Sequence, residues 1–188
     1  MFCHKIIINR MPIYTKKGDK GETGLFKKVD GKSVRVSKSS CNTRAIGAVD
    51  EIDSFLGIII SVSESPDLQN RLTRVQNNLL TIGSILAGSH LVILPSETRK
   101  LEKEIDEFDK TLTPLTNFIY PGGVLTASLL QFARTLARKA EREVVGLNEV
   151  EKVPSGVLKY LNRLSDYLFT LARAQNQKMN LIEKVWKK

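Results

Sequence analysis

The chain of 188 residues is 41% hydrophobic, which suits one domain whose core needs no disulfides. Its two cysteines and two histidines are too few for a disulfide framework and argue against a zinc site built on Cys and His. The net charge of +9 favours an anionic ligand, a nucleic acid or simply a solvated basic surface, and the aromatic content of 6% weakens the case for base stacking.

The chain divides into three segments along its length. Residues 1–11 are interpreted as an extension, because Met11 is a second natural start and the apolar run before it is too short for a signal peptide. Residues 12–40 are rich in Gly, Lys, Ser and Thr and predict an ordered loop with a short extended piece near Val34–Val36. No window reaches the roughly 18 apolar residues of a membrane span, so we expect a cytoplasmic protein with no membrane partner.

Residues 41–178 carry five apolar stripes at helical spacing. Ser96 is expected to cap the third helix, and Pro114 and Pro121-Gly122-Gly123 break the chain between the third and fourth. Because the connections are short, we predict an all-α fold, a single domain in which a bundle of five helices follows an N-terminal glycine-rich loop. In chain order the stripes are Ile46, Val49, Phe55, Leu56 and Ile60; Leu68, Leu72, Val75, Leu79, Ile82 and Leu86; Leu101, Ile105 and Phe108; Leu125, Leu129, Phe132, Leu136 and Ala140; and Val157, Leu161, Leu164, Leu168 and Leu171.

The segment Thr15–Gly24 has the composition of a phosphate-binding loop. Glycines recur at every third position and are interleaved with three lysines and two threonines. Glycine lets backbone N–H groups approach an anion closely, while lysines supply charge and threonine hydroxyls bond phosphate oxygens. An ordinary flexible polar loop is the alternative interpretation.

The predicted fourth helix carries a polar face made by Arg134, Arg138 and Glu141. These residues step by four and three, so they share one side of the helix, beside the predicted apolar stripe. The planar fork of donors on Arg138 suits a phosphate. The alternative is a solvated face with local ion pairs, such as Arg138 with Glu141.

Two other helices contribute polar pairs that could complete such a site. Asn162 and Asp166 lie one turn apart on the fifth helix, where Asn162 can bond a nucleotide and Asp166 can instead support an arginine of the fourth helix. Asp50 and Asp53 lie three residues apart on the first helix and are candidate partners for Arg134.

Six blocks of the sequence, in order over residues 12 to about 176, together resemble the PduO-type ATP:cob(I)alamin adenosyltransferases. The chain departs from that pattern at Gln131, where the family often has histidine, and at Lys139, where it has a second arginine. The blocks are Thr15–Gly24, Arg35–Lys38, Gly47–Ser54, Phe118–Gly123, Ala133–Arg142 and Leu161–Phe169.

The resemblance implies an enzyme that transfers the 5′-deoxyadenosyl group of ATP to cobalamin and releases triphosphate. It further implies a homotrimer with ATP between adjacent subunits, Mg²⁺ with unassigned ligands, and handover of the product to an enzyme that depends on it. The matching motifs imply that Lys38 and the loop bind the phosphates and that three residues of the fourth and fifth helices bind the nucleotide. Arg134 is implied to pair with Asp50 across the interface, and Phe118 to displace the lower axial ligand of cobalamin. The nucleotide-binding set is Thr15, Lys16, Gly18, Asp19, Gly21, Thr23, Lys38, Arg138, Glu141 and Asn162; the residues assigned to catalysis are Arg134, Arg138, Asp50 and Phe118.

The implied chemistry agrees with a chain that is nearly free of histidine. Co(I) is itself the nucleophile, so no Ser, Cys or His attacker is required, and the protein supplies positioning and electrostatics. The leaving triphosphate requires cationic stabilisation. Two alternatives stay open at this level: a basic helical module that binds nucleic acid without catalysis, and a cobalamin escort that has lost the transfer activity.

Overall fold

The structure, a computed structural model, describes residues 13–187; the predicted extension over residues 1–11 lies outside the described residues. The described part contains five α-helices and one β-hairpin, so the predicted five-helix bundle is confirmed. None of these helices has the apolar length needed to cross a lipid bilayer. The elements are β1 (Glu22–Val29), β2 (Lys32–Ser37), α1 (Cys41–Val62), α2 (Pro66–Leu86), α3 (Pro95–Asp109), α4 (Leu125–Val150) and α5 (Ser155–Lys178).

The hairpin occupies most of the segment that was expected to be a loop. The extended piece near Val34–Val36 is confirmed within β2, but the loop prediction is wrong for both strands, which pair antiparallel. Asp30 and Gly31 connect them with φ values of 50° and 76°, the left-handed pair that a type I′ turn requires. The strands expose most of their side chains, so apolar alternation did not mark them in the sequence.

The helices pack in the spatial order α2, α1, α4, α5, α3. Every predicted stripe residue of α2 and α5 is buried in the common core, which confirms the helical periodicity there. The prediction for the cap of α3 is wrong: Leu94 is the N-cap, and Pro95 takes the first helical position, where a missing N–H costs nothing.

The predicted stripe of α4 is right in part: Ala140 is buried, and Leu129 and Leu136 are partly buried and pack against the core. Leu125 is 66% exposed and Phe132 is 54% exposed, whereas the inner face is built mainly of small residues. Alanines on this face let the backbone of α4 approach α1 and α5 closely. Leu130 and Leu147 are buried on the same face, whereas Leu125 and Phe132 lie on the outer side. The buried residues of α4 are Ala127, Leu130, Gln131, Ala133, Ala137, Ala140, Val144 and Leu147.

A buried ionic network joins α2, α3 and α5 on the other side of the bundle. Arg71 and Arg74 of α2 form ion pairs with Glu104 of α3, and the hydroxyl of Tyr167 donates to the same carboxylate. Burial opposes ionisation, but the hydrogen bonds from Tyr167 and Arg74 and the charges of both arginines hold the pKa of Glu104 below its ordinary value. The network fixes α3 beside α5, where α3 forms one wall of the site described next.

Candidate active site

The arginine face of α4 is built around a buried glutamine. Gln131 is only 4% exposed, and its Oε1 accepts a hydrogen bond of 3.0 Å from Nε of Arg134. Burial, followed by the nearby charge of Arg138, lowers the pKa of Arg134 from its ordinary value. Two cationic side chains are therefore held close together on one helix face, an arrangement that an anion would stabilise.

Glu141 and Asn162 meet between α4 and α5, as a shared nucleotide site requires. Nδ2 of Asn162 donates to Oε1 of Glu141 over 2.8 Å. Asp166 does not support an arginine of the fourth helix, because it pairs instead with Arg163 of its own helix at 2.6 Å. Glu141 is engaged by Asn162, and the suggested local pair of Glu141 with Arg138 is absent among the described residues.

Lys139, the departure from the family pattern, turns away from this face. Its Nζ lies 2.6 Å from Oε2 of Glu51 on α1. Both side chains are about half exposed, so the pair contributes little stability in water. Lys139 therefore braces α4 against α1 and takes no part in the arginine face.

Arg134 and Arg138 line a charged groove of 910 Å³ between α3, α4 and α5. Acidic side chains of α3 and basic side chains of α5 form the opposite wall, so the groove offers both donors and acceptors of hydrogen bonds. The other charged residues that line it are Glu102, Asp106, Asp109, Arg163, Asp166 and Arg173.

A second, more apolar groove of 760 Å³ adjoins the first and shares Arg134 and Phe169 with it. Phe118 lies in its wall with 80% of its side chain exposed, and the ring of Trp186 packs edge-on against Phe118 at 6.5 Å. The chain after α5 returns along this loop as a short antiparallel bridge between Ile119 and Val185. The wall of this groove therefore combines an exposed aromatic ring with the half-buried Arg134.

The predicted phosphate loop is an ordered turn at the base of the hairpin. Lys16 and Gly21 adopt left-handed backbone conformations, with φ values of 59° and 81°. Nη2 of Arg35 donates to the carbonyl oxygen of Lys17 over 2.7 Å. The amine of Lys38 reaches over Gly18, where a Cβ would lie only 3.2 Å from Nζ. Lysine and glycine are therefore brought together as a phosphate site needs.

The hairpin is attached to the end of the bundle far from the arginine face. Phe26 N–H donates to the carbonyl oxygen of Ala87 over 2.7 Å, and Lys27 pairs with Glu151 at 2.9 Å. Gly88 permits this contact, because a Cβ there would lie 2.7 Å from the Cβ of Lys27. Glu151 directly follows the last turn of α4.

The two halves of the expected site do not meet within one chain. Glu151 follows Arg138 by 13 residues, about 20 Å along the helix axis. Neither groove lined by Arg134 contains a residue of the loop. Asp50 is exposed on α1, and among the described residues it forms no ion pair with Arg134.

Three residues of the site had not been assigned a role from the sequence. Gln131 was noted only as a departure, although a polar residue three before an arginine on one helix is a recognisable bonding pair. Arg173 is 6% exposed, and its Nη2 donates to the carbonyl oxygen of Thr113 over 2.6 Å. Asn176, 2% exposed, bonds the turn at Gly122. Both lie within the apolar pattern of α5, and no spacing rule links them to partners more than 50 residues away.

Comparison with known proteins agrees with this geometry. The family described as Cobalamin adenosyltransferase matches residues 13–175. A corrinoid adenosyltransferase of Bacillus subtilis is 40% identical over 91% of this chain and 90% of its own length. The corrinoid adenosyltransferase MMAB of Bos taurus is 37% identical over 94% of this chain and 76% of its own. One solved structure is that of a PduO-type ATP:corrinoid adenosyltransferase from Lactobacillus reuteri complexed with cobalamin and ATP, in a variant with one phenylalanine replaced by alanine. It superimposes with a TM-score of 0.88 at 33% identity and covers 94% of this chain and 100% of that one.

A helical bundle with an arginine face between two grooves is thus the scaffold of an enzyme that acts on a nucleotide and a large planar partner. The chain belongs to the cobalamin adenosyltransferase family, as a member of its PduO type. Its activity is that of an ATP:corrinoid adenosyltransferase, which confirms the enzymatic interpretation over a nucleic-acid-binding module.

Proposed function

We propose that the charged groove holds the nucleotide and the apolar groove holds the corrinoid, with Arg134 at their junction. The observation that carries this proposal is that one half-buried arginine lines both grooves. A reaction between two large substrates requires their reacting atoms within about 3–3.5 Å of each other. Two adjoining grooves with a shared wall provide such a meeting point.

The transfer is a substitution at C5′ of the ribose. The electron pair of Co(I) in cob(I)alamin forms the cobalt–carbon bond, the C5′–O5′ bond breaks, and its electrons leave with triphosphate. No residue is oxidised or reduced and no proton needs a protein base. The protein instead stabilises the negative charge that collects on the leaving oxygen, which we assign to Arg138.

We assign nucleotide binding to parts of two chains. Arg138, Glu141 and Asn162 of one subunit hold the nucleotide, and the loop with Lys38 of the neighbouring subunit holds the phosphates. The separation of about 20 Å along α4 within one chain supports this division.

A homotrimer supplies the second chain in this proposal. Phe132 and Ile58 are 54% and 50% exposed on the outer sides of α4 and α1, and Phe55 packs against the Phe132 ring at 5.0 Å. Such an apolar outer face suits contact between copies. Asp50, on the same side of α1, then pairs with Arg134 of the next subunit.

We propose that Phe118 displaces the lower axial ligand of cobalamin. Its 80% exposed ring stands in the wall of the apolar groove, where it can occupy the space below a bound corrin ring. An apolar wedge excludes both the displaced ligand and water, which makes cob(II)alamin easier to reduce.

Mg²⁺ fits the triphosphate better than a site of protein ligands alone. Among residues 13–187 no three His, Cys, Asp or Glu side chains gather to hold a metal. Mg²⁺ commonly binds substrate phosphates together with one or two carboxylates, and we propose the Asp19 carboxylate in the loop as one of these ligands. When bound, the ion would neutralise part of the charge on the leaving triphosphate.

The segment 12–40 therefore serves as the ATP-binding segment and 41–178 as the helical bundle of one domain. We propose a cytoplasmic location for the enzyme. Because adenosylcobalamin is itself a cofactor, direct handover to an enzyme that uses it completes the proposal.

The test of the two-groove assignment is to measure the affinity for each ligand separately in two variants. Purified protein should bind ATP and Mg²⁺ in calorimetry, and Arg138→Ala should weaken that binding while leaving corrinoid binding unchanged. Phe118→Ala should do the reverse. Loss of both affinities in either variant contradicts the assignment of separate grooves.

A further inference from the structure

We propose that Asn176 is a positioning residue for Phe118. The inference rests on the role proposed above for Phe118, and concerns how that side chain is held in the apolar groove. Asn176 lies in the last turn of α5, is only 2% exposed and does not line either groove that Arg134 shares.

The side chain of Asn176 closes the turn that connects the Phe118 loop to α4. Its Nδ2 donates to the carbonyl oxygen of Gly122 over 3.0 Å, and its Oδ1 accepts from the N–H of Val124 over 3.1 Å. Val124 is the N-cap of α4, which has no side-chain cap of its own. The amide of Asn176 therefore satisfies backbone groups on both sides of Gly123.

The turn leaves no room for a side chain at residue 123 beside this amide. Gly123 has a φ of 118°, and a Cβ there would lie 1.9 Å from Oδ1 of Asn176. Such a contact is impossible without moving either the turn or the amide. The turn at Gly123 and the carboxamide of Asn176 are thus sterically complementary.

The backbone of the same residue directs the chain that covers the other side of the Phe118 loop. The carbonyl oxygen of Asn176 accepts from the N–H of Leu181 over 2.9 Å and starts the return of the chain after α5. The returning segment then bonds the loop twice, from Tyr120 N–H to the Lys184 carbonyl and from Trp186 N–H to the Phe118 carbonyl, both at 2.8 Å.

Asn176 consequently holds Phe118 from two directions, through the turn that follows it and through the segment that pairs with it. The turn also begins α4, which carries Arg134 only ten residues beyond Val124. A shift of the amide would move the Phe118 ring relative to the arginine face. Misplacement of about 1 Å in a reacting site costs as much as 100-fold in rate.

The first experiment tests placement, independently of what Phe118 does to cobalamin. Trp186 is the only tryptophan, and its ring packs on Phe118, so its fluorescence reports on this loop. In full-length Asn176→Ala, and in the isosteric Asn176→Asp, acrylamide quenching of Trp186 should increase. Gln177→Ala is the matched control, because that neighbouring amide bonds Thr111 and not the turn. Unchanged quenching in a folded Asn176 variant overturns the inference.

The second experiment tests the consequence, with Phe118→Ala run in parallel. Turnover starting from cob(II)alamin with a reductant should fall by about tenfold or more in Asn176→Ala, up to the 100-fold limit of a misplaced group. Turnover of chemically prepared cob(I)alamin should stay within about twofold of that of the unaltered protein, since only cob(II)alamin, which must first be reduced, needs its lower ligand removed. Equal losses with both substrates reject a positioning role. If Phe118→Ala shows no such difference, the proposed role of Phe118 fails, while the quenching result still decides the placement.

Discussion

Replacing Arg138 with alanine separates its role in catalysis from any role in folding. The guanidinium is exposed, and within the described residues it forms no ion pair or hydrogen bond. Truncating such a surface side chain changes the free energy of unfolding by less than about 0.5 kcal/mol. Thermal unfolding of Arg138→Ala should therefore match that of the unaltered protein.

Activity should respond very differently to the same change. Removing one preorganised donor from a developing oxyanion costs about 2.7–4 kcal/mol, or about 100- to 1000-fold in kcat. Removing the positive charge should also raise the KM for ATP and bring the pKa of Arg134 closer to its ordinary value, because Arg138 helps to depress it. Arg138→Lys should recover only part of the rate, since an ammonium lacks the planar fork of donors.

The assay is the conversion of cob(I)alamin to adenosylcobalamin, followed by the change in its visible spectrum at saturating ATP. Lys100→Ala is the charge-matched control, because Lys100 is exposed on α3 and lines neither groove. A folded Arg138→Ala protein with turnover within about threefold of the unaltered chain would refute the assignment of Arg138 to the leaving triphosphate.

Three further predictions address the interface, the metal and the buried network. Asp50→Ala and Arg134→Ala should each be nearly inactive alone, but oligomers that contain both variants should regain activity, because one of their interfaces keeps both native residues. A mixture as inactive as either variant alone contradicts pairing between subunits. Chelation of divalent ions should abolish transfer without lowering the melting temperature, and equal loss of both would point to a structural metal. Glu104→Gln should reduce the free energy of unfolding at pH 7 by about 3 kcal/mol, the cost of breaking a buried pair. Since the folded pKa of Glu104 is depressed, its contribution is present above the unfolded value near 4.3 and is lost as the pH falls through the folded pKa. The free energy of unfolding, measured by denaturant titration, should therefore decline less steeply with falling pH in Glu104→Gln than in the unaltered protein. Parallel pH dependences of the two proteins would contradict the role of the network.

The bundle was predictable where leucine marks the buried face. In α2 and α5 the large apolar residues are also the buried ones, so spacing alone located both helices and their inner sides. In α4 the two properties separate: Ala133 and Ala137 are fully buried, while Phe132, directly before Ala133, is 54% exposed. A pattern based on hydrophobicity ranks phenylalanine above alanine and therefore placed Phe132 in the core and left Ala133 and Ala137 out of it.

The hairpin carried a local signal that was available but overlooked. Asp30-Gly31 is among the strongest short-range indicators of a two-residue β-turn. The contacts of Asn176 with Gly122 and Val124 carry no comparable signal. They join residues more than 50 positions apart, and only the packing of α5 against the start of α4 brings them together.

The buried face of α4 also explains how one helix can serve the core, the candidate site and the proposed interface. Four alanines face inward beside Leu130 and Leu147, so the helix lies close to α1 and α5. Phe132 is thereby released to the outer surface, and Arg134 lies at the border between buried and exposed positions. Burial of a guanidinium is tolerated there because Gln131 bonds its Nε, while within residues 13–187 the other N–H groups have no bonded partner and can bind a ligand. A leucine-rich inner face would have pushed α4 outward and carried Arg134 away from the groove it shares with Phe118. The alanine content of this helix is therefore a condition for the site.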